Sequence, residues 1–513
     1  MLVAGVLGFI AARPLTDNSF LTHLATGRLM LDGSVPTTNP FLYSSSDFPL
    51  PSWLWSAVLG VVDVAAGGAG LRVFTGLCAA LLGLVVVRLT RPEAPAVPDG
   101  SAGLDPSEDR TLLSVLLPSL CVLITLMPFV NARPQLPGYL LLACVVLVVK
   151  EHRSPWWLVA VFGIWVNVHG TWLYGLGVLG LLVVAQVVDA RRVSRRHLRW
   201  VGASVLGVVL GGLAQPHPFQ TVLLPLDQFG DERARDALSN YVEWQPAGFG
   251  HPLTWLLIAM GIVAVFGALG LRSTGTHSSA PAGSSAPAGS SDRLATDRVV
   301  TDRVVTDGAA GEARGVRRWG VLIASLGLVA MGLSAGRLLP LAAITLVPWV
   351  ATGIQGIHSM ALPGRSVQKV LVGLGAAFGM VGLMWSVATP AYDLSTYPVS
   401  AVDWLAARGL AGNPEVKVAS HDFVGNYLDW RFEDRANTFV DDRSGVDALI
   451  DYSTLFDLGD GWQKALERAN PDVIVWKTRE PLTGELREPA WFRAGDFGEF
   501  TVFCRSALAE RCS

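Results

Sequence analysis

Charge is what this chain lacks. Only 16% of its 513 residues are Asp, Glu, Lys or Arg, against about 25% in an ordinary soluble domain. Acids and bases nearly cancel, leaving a formal net charge of −3, so no cationic surplus points to nucleic acid. Cysteine is scarce, at five residues. No Cys/His zinc spacing, P-loop or dinucleotide fingerprint occurs. The missing fingerprint argues against a nucleotide-sugar donor held in a Rossmann domain.

What replaces charge is apolar length. The chain is 51% hydrophobic, with a mean hydropathy of +0.43. A run of roughly 18 or more apolar residues can cross about 30 Å of hydrocarbon. The runs are continuous rather than alternating, which excludes a β-barrel and predicts a polytopic α-helical membrane protein. Eleven spans are expected, near 1–12, 70–88, 111–130, 135–149, 156–168, 170–189, 201–216, 252–271, 319–335, 338–355 and 370–388. Met1 to Ala12 has no basic n-region and no clear cleavage site, so it reads as the end of a first helix. Trp53–Ala66 follows a polar loop directly and reads as a helix lying at the outer surface. With that choice the cations of 88–91, 150–153, 191–199, 314–318 and 365–369 share one side, which marks the cytoplasm. The first loop (13–69), the 217–251 loop and the C-terminal part are then outside. Charge is nearly absent from the middle of the spans, which argues against a transporter.

Two stretches are not membrane. Residues 272–316 repeat Ser-Ser-Ala-Pro-Ala-Gly and then Thr-Asp-Arg-Val-Val, a composition that cannot bury a core and predicts a disordered cytoplasmic linker. Residues 1–388 form the expected membrane domain. Residues 389–513 predict a small α/β domain, with helices at 400–408 and 461–469 and strands at 416–420, 437–441 and 473–476. Cys78, Cys121 and Cys144 fall in spans. Cys504 and Cys512 lie close together outside, where either a disulfide or two free thiols is allowed.

The candidate chemistry sits in the first loop. Asp17 is a general base in one reading and the N-cap of a helix over 18–31 in the other. His23 would position a phosphate. Arg133 offers a guanidinium fork to a phosphate, or snorkels to water. Asn167 and His169 break an apolar run near the same surface. Arg337 lies between two spans there and contacts phosphate or sugar, unless it is simply solvated. Glu243 and Trp244 suit a sugar face or an interfacial anchor. Asp441-Asp442-Arg443 is a sugar or metal site, or a solvated turn.

Asp-x5-His-Leu-x-Thr-Gly-Arg from Asp17, followed by Gly-Ser-Val-Pro-x-Thr-Asn-Pro-Phe ending at Phe41, resembles the first external loop of family C (GT-C) glycosyltransferases. Asn131–Gln135, Trp165–Gly170, Tyr241–Gln245, Gly425–Arg431 and Phe439–Arg443 are similar, in order, to a bacterial, actinobacterial multi-span branch. The resemblance implies a membrane glycosyltransferase that moves a sugar from a polyprenyl-phosphate donor to a lipid or glycan acceptor of the cell envelope, with membrane lipids as its surroundings. It implies Asp17 as the catalytic base and His23, Arg133 and His169 as donor ligands, which Arg337 joins by its place on the outer face. Asn167, Glu243 and Trp244 are sugar or acceptor contacts. The resemblance fixes no cofactor and leaves a divalent metal open. Two departures stand out. Ser19 replaces a second acid, and Pro51-Ser52 replaces a His-Glu pair before Trp53. They keep a non-catalytic scaffold of the same fold as the alternative.

Overall fold

A computed structural model describes residues 1–33, 35–36, 38–45, 50–91, 112–224, 245–269, 318–355 and 365–513. The 272–316 linker, Glu243 and Trp244 lie outside the described residues.

Each expected span is a helix. The bundle consists of α1 (Leu2–Ala11), α3 (Trp53–Leu89), α4 (Leu112–Leu126), α5 (Gln135–Lys150), α6 (Trp156–Val168), α7 (Trp172–Ala190), α8 (Arg195–Leu213), α9 (Pro252–Ala268), α10 (Trp319–Ser334), α11 (Leu339–Gln355) and α12 (Arg365–Ala388). Four stretches are long and apolar enough to cross a membrane: Trp53–Leu89, Trp172–Ala190, Gly336–Ile354 and Ser366–Ala388. Their surroundings differ. The apolar window of α11 is 83% buried and that of α12 only 17%, so α11 is core while α12 turns Val370, Met380, Met384 and Val387 outward. An exposed apolar band of that kind suits lipid, not water.

α3 is two helices in one. Gly67 has φ +60° and ψ −163°, a backbone state costly for any residue with a Cβ. The break falls where the surface helix at 53–66 was expected to end. The first half packs on α2 (Asn18–Leu31). The backbones are so close that a Cβ on Gly27 would stand 2.0 Å from the Ser56 carbonyl oxygen. Just past the break, Arg72 is buried and donates to the carbonyls of Ala12 (2.9 Å), Thr389 (3.1 Å) and Pro390 (3.1 Å). The last carbonyls of a helix have no intrahelical donor, and here one guanidinium serves the ends of both α1 and α12.

The C-terminal part holds α13 (Val399–Ala407), α14 (Asp422–Phe432), α15 (Val446–Phe456), α16 (Trp462–Ala469), α17 (Pro481–Glu485) and α18 (Ala509–Cys512) around one sheet. Its strands are β1 (Val418–Ser420), β2 (Val473–Lys477), β3 (Trp491–Phe497) and β4 (Phe500–Arg505), in the order β1-β2-β4-β3. β1 and β2 are parallel, and β4 runs antiparallel to both its neighbours. Cys504 and Cys512 form a disulfide. The strand expected at 437–441 is corrected. Single bridges tie Thr438 to Val418 on one side and to Leu42 on the other. Asn437 at φ +117° and the turn from Asp441 to Ser444 leave too little regular backbone for a ladder. Through that segment the first loop lies along the sheet edge, so loop and tail are on the same side of the bundle.

Candidate functional site

The first-loop motif divides into parts. Asp17 caps α2, accepting from the Phe20 N–H at 3.4 Å. The same carboxylate receives Asn131 Nδ2 at 2.9 Å and the Arg133 Nε–H. Arg133 Nη2 reaches Asn18 Oδ1 at 2.9 Å, and its N–H donates to Asn131 Oδ1 at 3.1 Å. Asp17 is therefore the N-cap of α2 and an ion-paired carboxylate at once. Burial raises its pKa above the usual carboxylate range, with Asp442 adding to that and Arg133 opposing it. A shallow surface depression beside it is lined by Arg13, Leu15, Thr16 and Asn131.

The tail holds the rest of α2. Thr22 Oγ1 donates to Asn426 Oδ1 at 2.6 Å, and Arg443 Nη1 reaches Thr26 Oγ1 at 2.5 Å. Arg28 pairs with Asp63 on α3 at 2.7 Å and with Glu433 of the tail at 3.6 Å. Phe41 lies under Arg443 at 4.6 Å. Arg443 also pairs with Asp441 at 2.9 Å and Asp429 at 3.6 Å, both carboxylates fully buried. Two acids under one cation favour a proton on one of them. Burial, then the charge of Asp441, holds Asp429 well above its ordinary value. So Asp441 and Arg443 form a buried brace, while Asp442 between them is exposed. Asn426 grips Asp442 twice, Nδ2 to its Oδ1 at 2.9 Å and Oδ1 from its N–H at 3.1 Å.

Two tryptophans of α3 set the neighbouring segments. Trp55 Nε1 donates to the Ala132 carbonyl at 2.8 Å, which fixes the turn carrying Arg133. Trp53 Nε1 donates to Asn167 Oδ1 at 2.6 Å, and Asn167 Nδ2 donates to the Gly163 and Gly211 carbonyls at 2.8 and 3.0 Å. Asn167 is thus fully bonded as a brace between α3, α6 and α8. His169 follows it at the break between α6 and α7. Its Nδ1 accepts the Thr171 N–H at 3.2 Å, which puts the neutral ring's proton on Nε2. His23 Nδ1 pairs with Ser56 Oγ at 3.0 Å.

The candidates from separate segments meet. His169 lies within electrostatic reach of Arg337, His23 and Arg133. His23 lies within reach of Arg443, Asp442 and Arg133. Burial foremost lowers His23 to about 3 and sets His169 well below its usual value. Both rings are therefore neutral at pH 7 and offer hydrogen bonds, leaving Arg133 and Arg337 to supply charge. Four side chains in the same region were not picked from the sequence: Asn131, Tyr397, Asp422 and Asn426. Tyr397 is raised by burial first, then by Asp17 and Asp442. Asp422, the first residue of α14, is raised by burial and Asp442. Asn131 and Asn426 stood in quoted motifs, and that was the available signal. Among the described residues no group of three or more His, Cys, Asp or Glu could hold a metal ion.

No protein-family model matches the chain, and no curated protein matches it. Among solved structures it is similar to the Archaeoglobus fulgidus oligosaccharyltransferase, crystallised with an acceptor peptide containing the NVT sequon tethered through a disulfide bond. The identity is 9%, the match covers 93% of this chain and 68% of that one, and the TM-score is 0.49.

Proposed function

We propose that the chain is an integral membrane glycosyltransferase of the GT-C type, moving a sugar from a polyprenyl-phosphate donor to a cell-envelope acceptor at the outer face of an eleven-span bundle. One observation carries this reading. His23, Arg133 and Arg337 come from three other segments into electrostatic reach of His169, and the charge of Asp442 reaches both His23 and Asp17. Two guanidinium groups and two neutral imidazoles suit a leaving phosphate, whose developing charge is best met by fixed donors in a water-poor site. A carboxylate at the edge suits the acceptor's proton. Asp17, the base expected from sequence, stays in the site and orients Arg133.

The test is turnover of polyprenyl-phosphate pentoses and hexoses by the purified chain. Arg133→Ala should raise the donor KM at least tenfold, since it removes a phosphate contact. Turnover unchanged by that substitution would remove Arg133 from the site. The second reading, a non-catalytic scaffold, draws on the bonds that tie up both Asp17 oxygens. Donor binding without turnover in the wild type, across the whole panel, would select it.

A further inference from the structure

We propose that Asp442, brought in from the C-terminal domain, is the carboxylate that takes the acceptor's proton, and that Asp17 is the positioning residue for Arg133. The inference rests on the glycosyltransferase reading above. The two acids differ in how much of each carboxylate is available. Asp17 Oδ1 meets the Arg133 Nε–H and the Phe20 N–H, and its Oδ2 meets Asn131 Nδ2. Its side chain is only 15% exposed. A base must present a lone pair to the incoming proton, and those of Asp17 face protein donors. Asp442 is exposed. Only its Oδ1 is held, by Asn426, and its Oδ2 accepts nothing from the described residues.

Asp442 is nonetheless fixed in place. Asn426 clamps its carboxylate and its backbone N–H, and Thr22 clamps Asn426. Thr22 and the Asp17 cap belong to the same short helix, so α2 sets the position of both acids. The charge of Asp442 acts on Asp17, His23, Asp422 and Tyr397, so it lies within electrostatic reach of the same groups. A clamped carboxylate with one open oxygen is preorganised as a base, because little ordering remains on binding.

The step balances. The acceptor hydroxyl oxygen bonds to the anomeric carbon. The bond from that carbon to the phosphate oxygen breaks, and its electron pair leaves with polyprenyl phosphate. The hydroxyl proton passes to Asp442 and then to water.

The experiment uses the full chain in lipid nanodiscs, with polyprenyl-phosphate pentose and hexose donors and an octyl glycoside acceptor. Asp442→Asn keeps an oxygen for Asn426 and should melt like wild type. It should lose roughly 10²–10⁴-fold in kcat, the usual share of general-base assistance, at a donor KM within threefold of wild type. Asp17→Asn should act mainly on the donor KM, through Arg133. If Asp442→Asn keeps kcat within threefold while wild type turns over, the proposal is overturned and the glycosyltransferase reading survives. A pure kcat loss in Asp17→Asn alone gives the base role back to Asp17. No turnover by wild type with any donor overturns both.

Discussion

The two ends of the helical bundle use arginine differently. At one end Arg88 pairs with Glu151 at 2.7 Å, Arg153 pairs with the same acid at 2.9 Å, and Lys150 Nζ donates to the Leu89 and Arg91 carbonyls. The Arg88 side chain there is 40% exposed. At the other end Arg133 is 21% exposed and Arg443 only 5%, each held by side chains from distant segments. The first kind of arginine is written by the membrane, as positive charge retained beside short loops. The second is written by tertiary packing, because a buried cation needs partners built for it. Counting arginines does not separate the two. Their burial and the span of chain their partners cover do.

The largest test of this contrast is Asp17→Ala. It leaves Arg133 without its carboxylate and α2 without its cap. Breaking a fully buried pair costs roughly 3–5 kcal/mol and losing a cap about 1 kcal/mol. Because the pair is 15% and 21% exposed, the expected total is discounted to about 3 kcal/mol, read as a lower unfolding midpoint in detergent. Asn426→Ala comes next. It strips the partner from the buried Thr22 hydroxyl and the clamp from Asp442, at about 1–3 kcal/mol. Limited proteolysis near residue 395 should then quicken as the tail loosens from α2. An unchanged cleavage rate would show that the tail is held without Asn426.

A third test is pH. The native pKa of Asp429 lies above its unfolded value, near 3.8, so the folded state binds that proton more tightly. The contribution is complete below the unfolded value and is lost as pH rises through the raised native one. Melting temperature should fall toward alkaline pH in wild type and be flatter in Asp429→Asn, which stays neutral. Equal slopes in the two proteins would mean that Asp429 is ionised in the brace. The smallest effect belongs to the opposite end: Arg88→Ala should cost about 0–1 kcal/mol. A loss matching that of Asp17→Ala would dissolve the distinction between the two ends.

Much of the bundle was legible because lipid imposes a length and an apolar composition on each crossing helix. The helix at 53–66 was separable from the span after it because it follows a polar loop directly and because counting it as a span would set the cations of 88–91 opposite those of 191–199. The hairpin of β3 and β4 was missed. Its only clear marker is Gly498 at φ +66° between Phe497 and Glu499, and charged residues on the open face of β3 hide the alternation. Asp17 and His23 could be named because they stand in a polar loop at the end of a span, Arg133 because it ends another, and His169 because it breaks an apolar run. Asp442 could not be ranked above Asp441 from sequence, since adjacent acids look alike until burial of one and exposure of the other tells them apart.

The bond from Thr22 to Asn426 joins residues 404 positions apart. At about 5–20 residues per second, synthesis separates them by roughly 20–80 s. For that interval α2 has emerged without the helix that covers it, and its two threonines have only water. Closing so long a loop is slow and comes late in folding. A chain that stops early, or whose tail fails to reach the right side, cannot assemble both acids in one place. Completion of the polypeptide through Asn426 is thereby a condition for closing the tail over α2.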